Sequence, residues 1–350
     1  MNKKKKYGCW HFSDCRVISE RLSQKGSMEI FRSVTQSVLG TPHSGTQSSG
    51  AETVERLLDR VQSSTLLEDR RDGCRALKAL SRKYRLLVGA HGMDTLIQVL
   101  ESDRSDHEIV NYALETLVNI TSDEMFIKDD DDENAGEQES TNIGEQFTEI
   151  FIKRVENIGL VMSLMDEFDF KVRFPAMKLL NNLLRNRPKE VQEVILVTPS
   201  GVSKLMDMLS DSREIIRNDT LLLLTELTKG NTNLQKIVAF ENAFDHLFGI
   251  VKAEDLSDGG VVVGDCLGLM LTLLKNNPSN QTFFKEECLN SLTSPWMVKQ
   301  ATVAGQRRKV ANVHYMLKLL RILVSPQNSA QAVASCQESN EKLWPFRTSL

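Results

Sequence analysis

The chain of 350 residues is poor in the residues that mark several classes of protein. Aromatic residues make up only 6% of it, and its 8 prolines and 19 glycines are too few for a collagen-like or linker-dominated protein. No apolar run approaches the roughly 18 residues of a transmembrane helix. The 6 cysteines are scattered rather than clustered, so we expect no disulfide framework and a reducing, cytoplasmic compartment.

Charge is distributed unevenly along the chain. Residues 1–27 carry a net charge of +5 and residues 123–139 carry −8, which leaves −1 for all the rest. A nearly neutral body lacks the electropositive footprint of a nucleic-acid-binding protein. We therefore expect protein partners and no nucleic acid. The basic run Lys3–Lys6 is not followed by an apolar stretch, so it is no secretory signal, and we interpret it as a solvated leader.

A repeated pattern of apolar residues organises the region from Ala51 to Ser325. Each copy starts at position i, has small or apolar residues near i+4 and i+5, and continues with apolar residues in three-residue steps, the spacing of an amphipathic helix. The start-to-start intervals are 37, 63, 44, 46 and 49 residues, and the acidic segment accounts for the longest. The six copies start at Asp72, Ile109, Val172, Ile216, Val262 and Ala311.

A second apolar helix is predicted between successive copies, as at 92–100, 201–209 and 243–248. Polar turns at 102–106 and 210–213 then supply candidate N-cap residues for the long helix that follows. A period of about 40–47 residues with two or three helices is typical of armadillo and HEAT arrays. Because one repeat cannot bury its apolar face alone, neighbours stack into one core. The predicted fold is an all-α, armadillo/HEAT-like solenoid of about six repeats.

Other segments flank or interrupt this array. Residues 1–50 end in a polar stretch rich in glycine and serine, so we predict a disordered leader and linker. The solenoid is predicted over 51–325 with an acidic loop inserted at 123–145, and 326–350 is predicted to be a divergent tail. The acidic run does not fit a calcium-binding EF-hand loop, because two of its ligand positions are unsuitable.

The sequence lacks the common catalytic motifs. It contains no phosphate-binding loop, no G-x-S-x-G nucleophile elbow and no H-E-x-x-H motif, so we predict that the protein is not an enzyme and binds no cofactor. Cys9, His11 and Cys15 have no fourth ligand at a suitable spacing, so we expect no metal site. Four histidines have no evident serine or cysteine partner: His91, His107, His246 and His314. Three cysteines are expected in the core: Cys74, Cys266 and Cys288.

Asparagines on the long helices raise an alternative function. Armadillo proteins that hold extended peptides use a ladder of asparagines in an L-x-N-L pattern, and Asn119 and Asn182 fit it. Glu226, Thr272 and Arg321 occupy the equivalent positions of later copies, so the ladder is broken. This disfavours a nuclear-import or catenin-like peptide receptor, which stays open as the alternative.

Several segments are similar to those of one known family. The most specific runs from Gln235 to Phe244, and others lie at 63–71, 76–86, 103–106, 146–153, 211–219, 257–260 and 280–286. Over about residues 51–336 the chain resembles the head of the general vesicular transport factor family, also called vesicle-docking or transcytosis-associated proteins.

This resemblance implies a non-enzymatic tether, cytoplasmic and peripheral on the Golgi membrane. The tether would act in endoplasmic-reticulum-to-Golgi and intra-Golgi vesicle docking, before membrane fusion. Implied partners are a Rab GTPase, golgins, SNAREs and the conserved oligomeric Golgi complex. Family members continue into a coiled coil and an acidic tail, and we expect that coiled-coil dimerisation region to be absent here.

Charged residues at the turns between helices are the candidates for a partner surface. Helix capping and pairing between repeats provide the alternative explanation for them. The candidates are Arg70, Arg71, Asp211, Arg213, Arg217, Asn218 and Asp219.

Overall fold

The computed structural model describes residues 50–123, 143–254, 260–292 and 307–324. Within these ranges the chain forms helices and no strand, which confirms the predicted all-α class. The predicted leader (apart from its last residue), most of the acidic loop and the predicted tail lie outside the described residues. The predicted domain boundaries therefore stay predictions, although the last three residues assigned to the acidic loop are already helical.

Fifteen helices lie in the described ranges. They are α1 (Gly50–Ser63), α2 (Leu67–Leu80), α3 (Arg85–Ser102), α4 (His107–Thr121), α5 (Ile143–Ile152), α6 (Glu156–Leu164), α7 (Phe170–Asn186), α8 (Pro188–Val197), α9 (Gly201–Asp207), α10 (Glu214–Thr228), α11 (Thr232–Phe240), α12 (Ala243–Ala253), α13 (Val261–Leu274), α14 (Pro278–Leu292) and α15 (Arg307–Val324). A 3₁₀ turn, Met208–Ser210, extends α9.

The six predicted copies of the repeat pattern all fall on long helices, namely α2, α4, α7, α10, α13 and α15. Each of these helices contacts the next one in that order, so together they form a continuous spine. The stacking confirms the prediction of about six repeats that share one core. The residue at i+5 of every copy is buried: Leu77, Leu114, Met177, Leu221, Leu267 and Met316.

Shorter helices connect the members of the spine. The predicted second helix is observed within α3, as α9 and as α12. A further short helix, α8 or α11, precedes α9 or α12, and the apolar pattern did not predict it. With 10 and 9 residues, α8 and α11 are too short to show a clear helical period. Three helices per repeat is within the range of armadillo arrays.

Local sequence explains where several of these helices begin and end. The Asp106 carboxylate accepts hydrogen bonds from the backbone N–H groups of Glu108 and Ile109, both at 3.0 Å, which confirms a cap in the turn before α4. Pro188 is the first residue of α8, where its missing N–H has no consequence. Just beyond α10, Gly230 has a φ of 72°, a left-handed conformation that glycine adopts without steric cost.

Candidate functional site

Among the described residues, ion pairs recur along the edge at which the long helices begin. We call this the turn edge; it comprises the turns 103–106, 166–169 and 210–213 and the helix starts that contact them. At successive junctions, a basic side chain near the start of one long helix bonds a carboxylate in the turn before the next. The pairs are Arg71 with Asp106 at 2.8 Å, His107 with Asp169 at 2.9 Å and Arg173 with Asp211 at 2.6 Å.

Asp211 is the most heavily bonded carboxylate of the turn edge. Its side chain is 4% exposed. It accepts hydrogen bonds from the Arg213 Nε at 2.9 Å, the Arg213 Nη2 at 2.8 Å and the backbone N–H of Arg213 at 2.9 Å, in addition to the bond from Arg173. The side-chain bonds from Arg213 outweigh the opposing effect of burial and lower the pKa of Asp211 to about 2. The single negative charge of Asp211 contacts the guanidinium groups of both Arg173 and Arg213, so these three side chains together keep one net positive charge.

Asp211 does not cap α10, contrary to the expectation for this turn. The N-cap residue of α10 is Arg213, and its side chain makes no capping hydrogen bond. The carboxylate is occupied instead by the two arginines, because Arg173 reaches it from the neighbouring repeat. In this turn, tertiary pairing has replaced the local cap.

The same two arginines also hold the turn 166–169. The Arg173 Nε donates to the carbonyl oxygen of Met165 at 2.6 Å, and the Arg213 Nη1 donates to that of Phe168 at 3.1 Å. The turn before α7 and the turn before α10 are thus tied together through side-chain bonds. These bonds connect the backbone of one turn to the side chains of the next repeat.

Arg70 and Arg71 occupy an equivalent place two repeats earlier. The Arg70 guanidinium pairs with the buried carboxylate of Asp103, and its Nε donates to the carbonyl oxygen of Val61 at 3.1 Å. Arg71 bonds Asp106 in the same turn. Both arginines are used for pairing between repeats, and a role for them in partner binding stays a prediction.

The remaining candidates lie along the first two turns of α10. The Arg217 Nη2 bonds the Glu254 carboxylate at 2.7 Å, and its Nε donates to the Asn218 Oδ1 at 3.2 Å. Burial raises the pKa of Asp219, with an opposing effect from Lys178. The structure therefore places Arg217 in a bond between repeats, which accords with the pairing explanation, while a partner-surface role stays untested.

Asn119 and Asn182 link neighbouring long helices. The Asn119 Nδ2 donates to the Ser81 Oγ at 2.8 Å, where both groups are buried. The Asn182 Nδ2 donates to the carbonyl oxygen of Val118 at 3.1 Å and to the Thr121 Oγ1 at 3.3 Å. Both amide groups are already engaged in the packing of the array.

One expectation about the histidines is corrected by the structure. The sequence suggested no serine partner for His246, yet its Nδ1 lies 3.5 Å from the Ser210 Oγ on an exposed surface. Within the described residues no carboxylate bonds this imidazole, so the pair lacks the third group that orients a catalytic base. The contact does not amount to a recognisable catalytic arrangement.

In the part of the chain that the structure describes, the cysteines and any group of side chains that could bind a metal are the remaining candidates for chemistry. Cys74 and Cys266 are buried, as predicted, and burial raises the pKa of each thiol to about 12. No group of three or more histidine, cysteine and acidic residues among the described positions could hold a metal. The predictions for Cys9, His11 and Cys15 fall outside the described residues, as does that for the side chain of Cys288.

Sequence reasoning missed an aromatic group beside Arg213. Phe168 is 95% exposed, and the ring of Phe170 stacks on that of Phe174 with centroids 5.0 Å apart. The signal was present in the sequence, since three phenylalanines occur within seven residues around the predicted start of a long helix. Helical periodicity could not identify it, because two of the three precede or begin α7.

Comparison with known proteins gives consistent matches. A family profile described as the armadillo tether-repeat of vesicular transport factor matches residues 302–343. The chain is 53% identical over 303 residues to the general vesicular transport factor p115 of Homo sapiens, covering 86% of this chain and 31% of that protein. It is 31% identical to the intracellular protein transport protein USO1 of Saccharomyces cerevisiae, across 79% of this chain and 17% of the yeast protein.

Solved structures match the fold. A crystal structure of Uso1-2 superposes with a TM-score of 0.75 and 27% identity, covering 86% of this chain and 48% of that one. A designed armadillo repeat protein superposes with a TM-score of 0.56 at 15% identity over 78% of this chain and all of the designed one, a likeness of fold alone. None of the helices in the described ranges is long and apolar enough to span a bilayer.

The chain spans about a third of the length of the vertebrate relatives it matches. The aligned 303 residues include most of the armadillo-like array, and Uso1 occurs both among the sequence relatives and among the solved structures that match. This chain therefore belongs to the general vesicular transport factor family.

Proposed function

We propose that this chain is a vesicle-tethering head, a non-enzymatic scaffold that binds trafficking proteins over its solenoid surface. The 53% identity over 303 residues with a vesicular transport factor carries this proposal. The geometry supports it, because the stacked repeats bury their apolar residues in the spine and leave the turns of successive repeats exposed in a row. Such a row offers a long surface for protein contacts.

The proposed setting is endoplasmic-reticulum-to-Golgi and intra-Golgi transport. The proposed partners are a Rab GTPase, golgins, SNAREs and the conserved oligomeric Golgi complex, and the proposed location is cytoplasmic and peripheral on the Golgi membrane. The resemblance to the vesicular transport factor family supports these specific roles. In this setting the head docks a vesicle through protein contacts before membrane fusion.

Direct binding of purified proteins tests the proposal. The full chain is immobilised and exposed to a Rab GTPase loaded with a GTP analogue or with GDP, to the cytoplasmic parts of SNAREs and to subunits of the conserved oligomeric Golgi complex. We expect saturable binding of at least one of them, and none to a designed armadillo protein used as the control solenoid. A correctly folded chain that binds none of these proteins would contradict the proposal.

A peptide receptor of the nuclear-import or catenin type is the alternative. It needs asparagine side chains that are free to bind a peptide backbone, whereas Asn119 and Asn182 bond neighbouring helices. We therefore expect no binding of a basic nuclear-localisation peptide, measured by fluorescence anisotropy. Binding that is abolished by combining Asn119→Ala with Asn182→Ala would favour the alternative.

A further inference from the structure

Two phenylalanine rings and two cationic groups come together near the exposed Phe168. We call Phe168, Phe170, Phe174, Lys178 and Arg213 the aromatic patch. The rings of Phe170 and Phe174 are stacked, with an interplanar angle of 13°. The Lys178 Nζ lies 4.4 Å from the centroid of the Phe174 ring, and the Arg213 guanidinium lies 6.0 Å from that of Phe170. Each of the two stacked rings therefore has one cationic group over it.

The patch is fixed in place by the turn edge. Arg213 donates to the carbonyl oxygen of Phe168 and is itself bonded to the buried carboxylate of Asp211. Asp211 in turn binds Arg173, four residues into α7. A partner that docks here meets side chains whose backbone is already ordered, so the entropic cost of binding is reduced.

The side chain of Phe168, unlike its backbone carbonyl group, is almost fully exposed to solvent. At 95% exposure it is the most exposed large apolar residue in the described ranges, and it lies two residues before Phe170 in the chain, which is also exposed. Single exposed apolar residues are common on soluble proteins, whereas contiguous aromatic groups mark interaction sites. Phe240 is 85% exposed, and neither it nor Phe168 takes part in a ring pair within the described residues; Phe168 differs because the stacked pair of Phe170 and Phe174 begins two residues after it.

Charge indicates what kind of partner fits. The sequence of α7 contains no acidic residue and four basic ones. Three of these pair with carboxylates, Lys171 with Glu108, Arg173 with Asp211 and Arg185 with Asp123, whereas Lys178 forms no ion pair within the described residues. Both cations that flank the stacked rings belong to the patch, and Asp211 is shared between two arginines. A carboxylate from a partner placed at Arg213 or Lys178 would meet a cation beside an apolar surface, where solvent screens the attraction less.

A lipid surface fits this edge less well. Glu167 and Glu214 lie next to the patch in sequence, Asp169 lies between Phe168 and Phe170, and Asp106 lies in the turn before α4. Anionic headgroups that approach a broad part of the edge would meet all four carboxylates, whereas a narrow peptide can contact the exposed rings, Arg213 and Lys178. A protein segment is therefore the favoured occupant.

We propose that the aromatic patch is a docking site for a partner segment that carries acidic side chains beside large apolar ones. An apolar side chain of the segment packs between Phe168 and the ring of Phe170, and its carboxylates pair with Arg213 and Lys178. Aromatic and arginine side chains commonly dominate the energetics of protein interfaces. This proposal does not depend on which trafficking proteins the head binds.

A random-peptide library displayed on phage tests the chemistry without assuming a partner. The full chain is the bait, and enriched peptides are synthesised and titrated by fluorescence anisotropy. We expect enrichment of peptides that combine Asp or Glu with Phe, Trp or Leu. Enrichment of basic peptides, or no enrichment by a bait that circular dichroism shows to be folded, would overturn the proposal.

Two pairs of matched variants then locate the site. Phe168→Ser should weaken binding of the enriched peptide by about tenfold or more, because it removes an exposed apolar anchor, while Phe240→Ser should change it less than about twofold. Lys178→Glu should weaken binding severalfold, and Lys236→Glu on α11 should not. Equal effects within a pair would place the peptide elsewhere and refute the assignment.

Two other occupants are tested with the same variants. If the full chain forms a dimer by size-exclusion chromatography with light scattering, and Phe168→Ser alone abolishes it, the patch is a self-association surface and the proposal is wrong. If phosphatidylserine vesicles sediment the wild-type chain but not the Phe168→Ser variant, the patch binds lipid and the proposal is likewise wrong. Loss of Rab or SNARE binding without loss of peptide binding would affect only the proposed tethering function.

Discussion

The spine of long helices and the turn edge solve the same stacking problem with different chemistry. In the spine, every repeat presents a large apolar residue at the same position, for example Leu114 in α4 and Leu221 in α10, and both are fully buried. At the turn edge, each junction uses a different pair, such as Arg71 with Asp106 or His107 with Asp169. The buried residues of the spine are alike in every repeat, while the ion pairs of the turn edge differ from one repeat to the next.

This difference shows which surface can carry specificity. Burial in the spine is non-directional and depends on area, so many apolar residues satisfy it. Hydrogen-bonded ion pairs require defined partners and geometry, so each junction of the edge becomes chemically distinct. The chemistry of the edge can therefore differ from repeat to repeat while the apolar spine stays the same. The junction of α7 with α10 is the most elaborate of those described, because one carboxylate binds two arginines there.

The largest effect is expected from a cavity in the spine. Leu180→Ala removes a fully buried side chain from α7 and should lower the free energy of unfolding by about 2–5 kcal/mol. Leu222→Ala, at a position that is 44% exposed in the same layer, should cost far less. Urea unfolding followed by circular dichroism measures both. Similar losses in unfolding free energy for the two variants would contradict the difference in burial between Leu180 and Leu222.

The second-largest loss in the free energy of unfolding is expected when the Asp211 carboxylate at the turn edge is removed. Asp211→Asn leaves Arg173 and Arg213 adjacent without their shared counter-charge, so we expect a loss of about 2–4 kcal/mol in the same assay. Asp207→Asn, at an exposed position on α9, is the matched control and should stay within about 0.5 kcal/mol of wild type. A neutral result for Asp211→Asn would mean that the edge contributes no stability at this junction.

Acid should weaken the same junction in a defined pH range. The pKa of Asp211 is about 2 in the folded chain and about 3.8 in a free carboxyl, so its ionised form favours the folded state. This contribution, about 2 kcal/mol, is present above pH 4 or so and is lost as the pH falls toward 2. The difference in unfolding free energy between wild type and Asp211→Asn should therefore narrow by about that amount on acidification. A difference that is constant from pH 5 to roughly pH 2.5 would rule out this assignment.

The smallest effect is expected at the most exposed junction. His107 and Asp169 pair at 2.9 Å with side chains that are 45% and 32% exposed, so solvent screens their attraction. His107→Gln should lower the free energy of unfolding by less than about 1 kcal/mol. A loss as large as that of Asp211→Asn would show that exposure does not set the strength of the edge pairs. Thermal unfolding at neutral pH provides the measurement.

Much of the fold could be predicted from the sequence, because apolar periodicity is a local property. The helix of 14 residues that begins at Val261 was predictable even though it starts with a β-branched run, since Cys266, Leu267 and Met270 follow at helical spacing. The short helices α8 and α11 were not predictable, because their 10 and 9 residues contain too few turns. The cap at Asp106 was predictable from the residue type before an apolar-periodic segment.

By itself, the sequence determined the register of the repeats, the positions of the long helices and the class of fold, because each depends on residues that are neighbours along one helix. Only the tertiary structure decided which arginine meets which carboxylate. Arg173 and Asp211 are 38 residues apart, and nothing local distinguishes Asp211 as a cap from Asp211 as the counter-ion of another repeat. The same holds for the aromatic patch, since Arg213 reaches Phe168 and Phe170 only after the spine has brought α7 and α10 side by side.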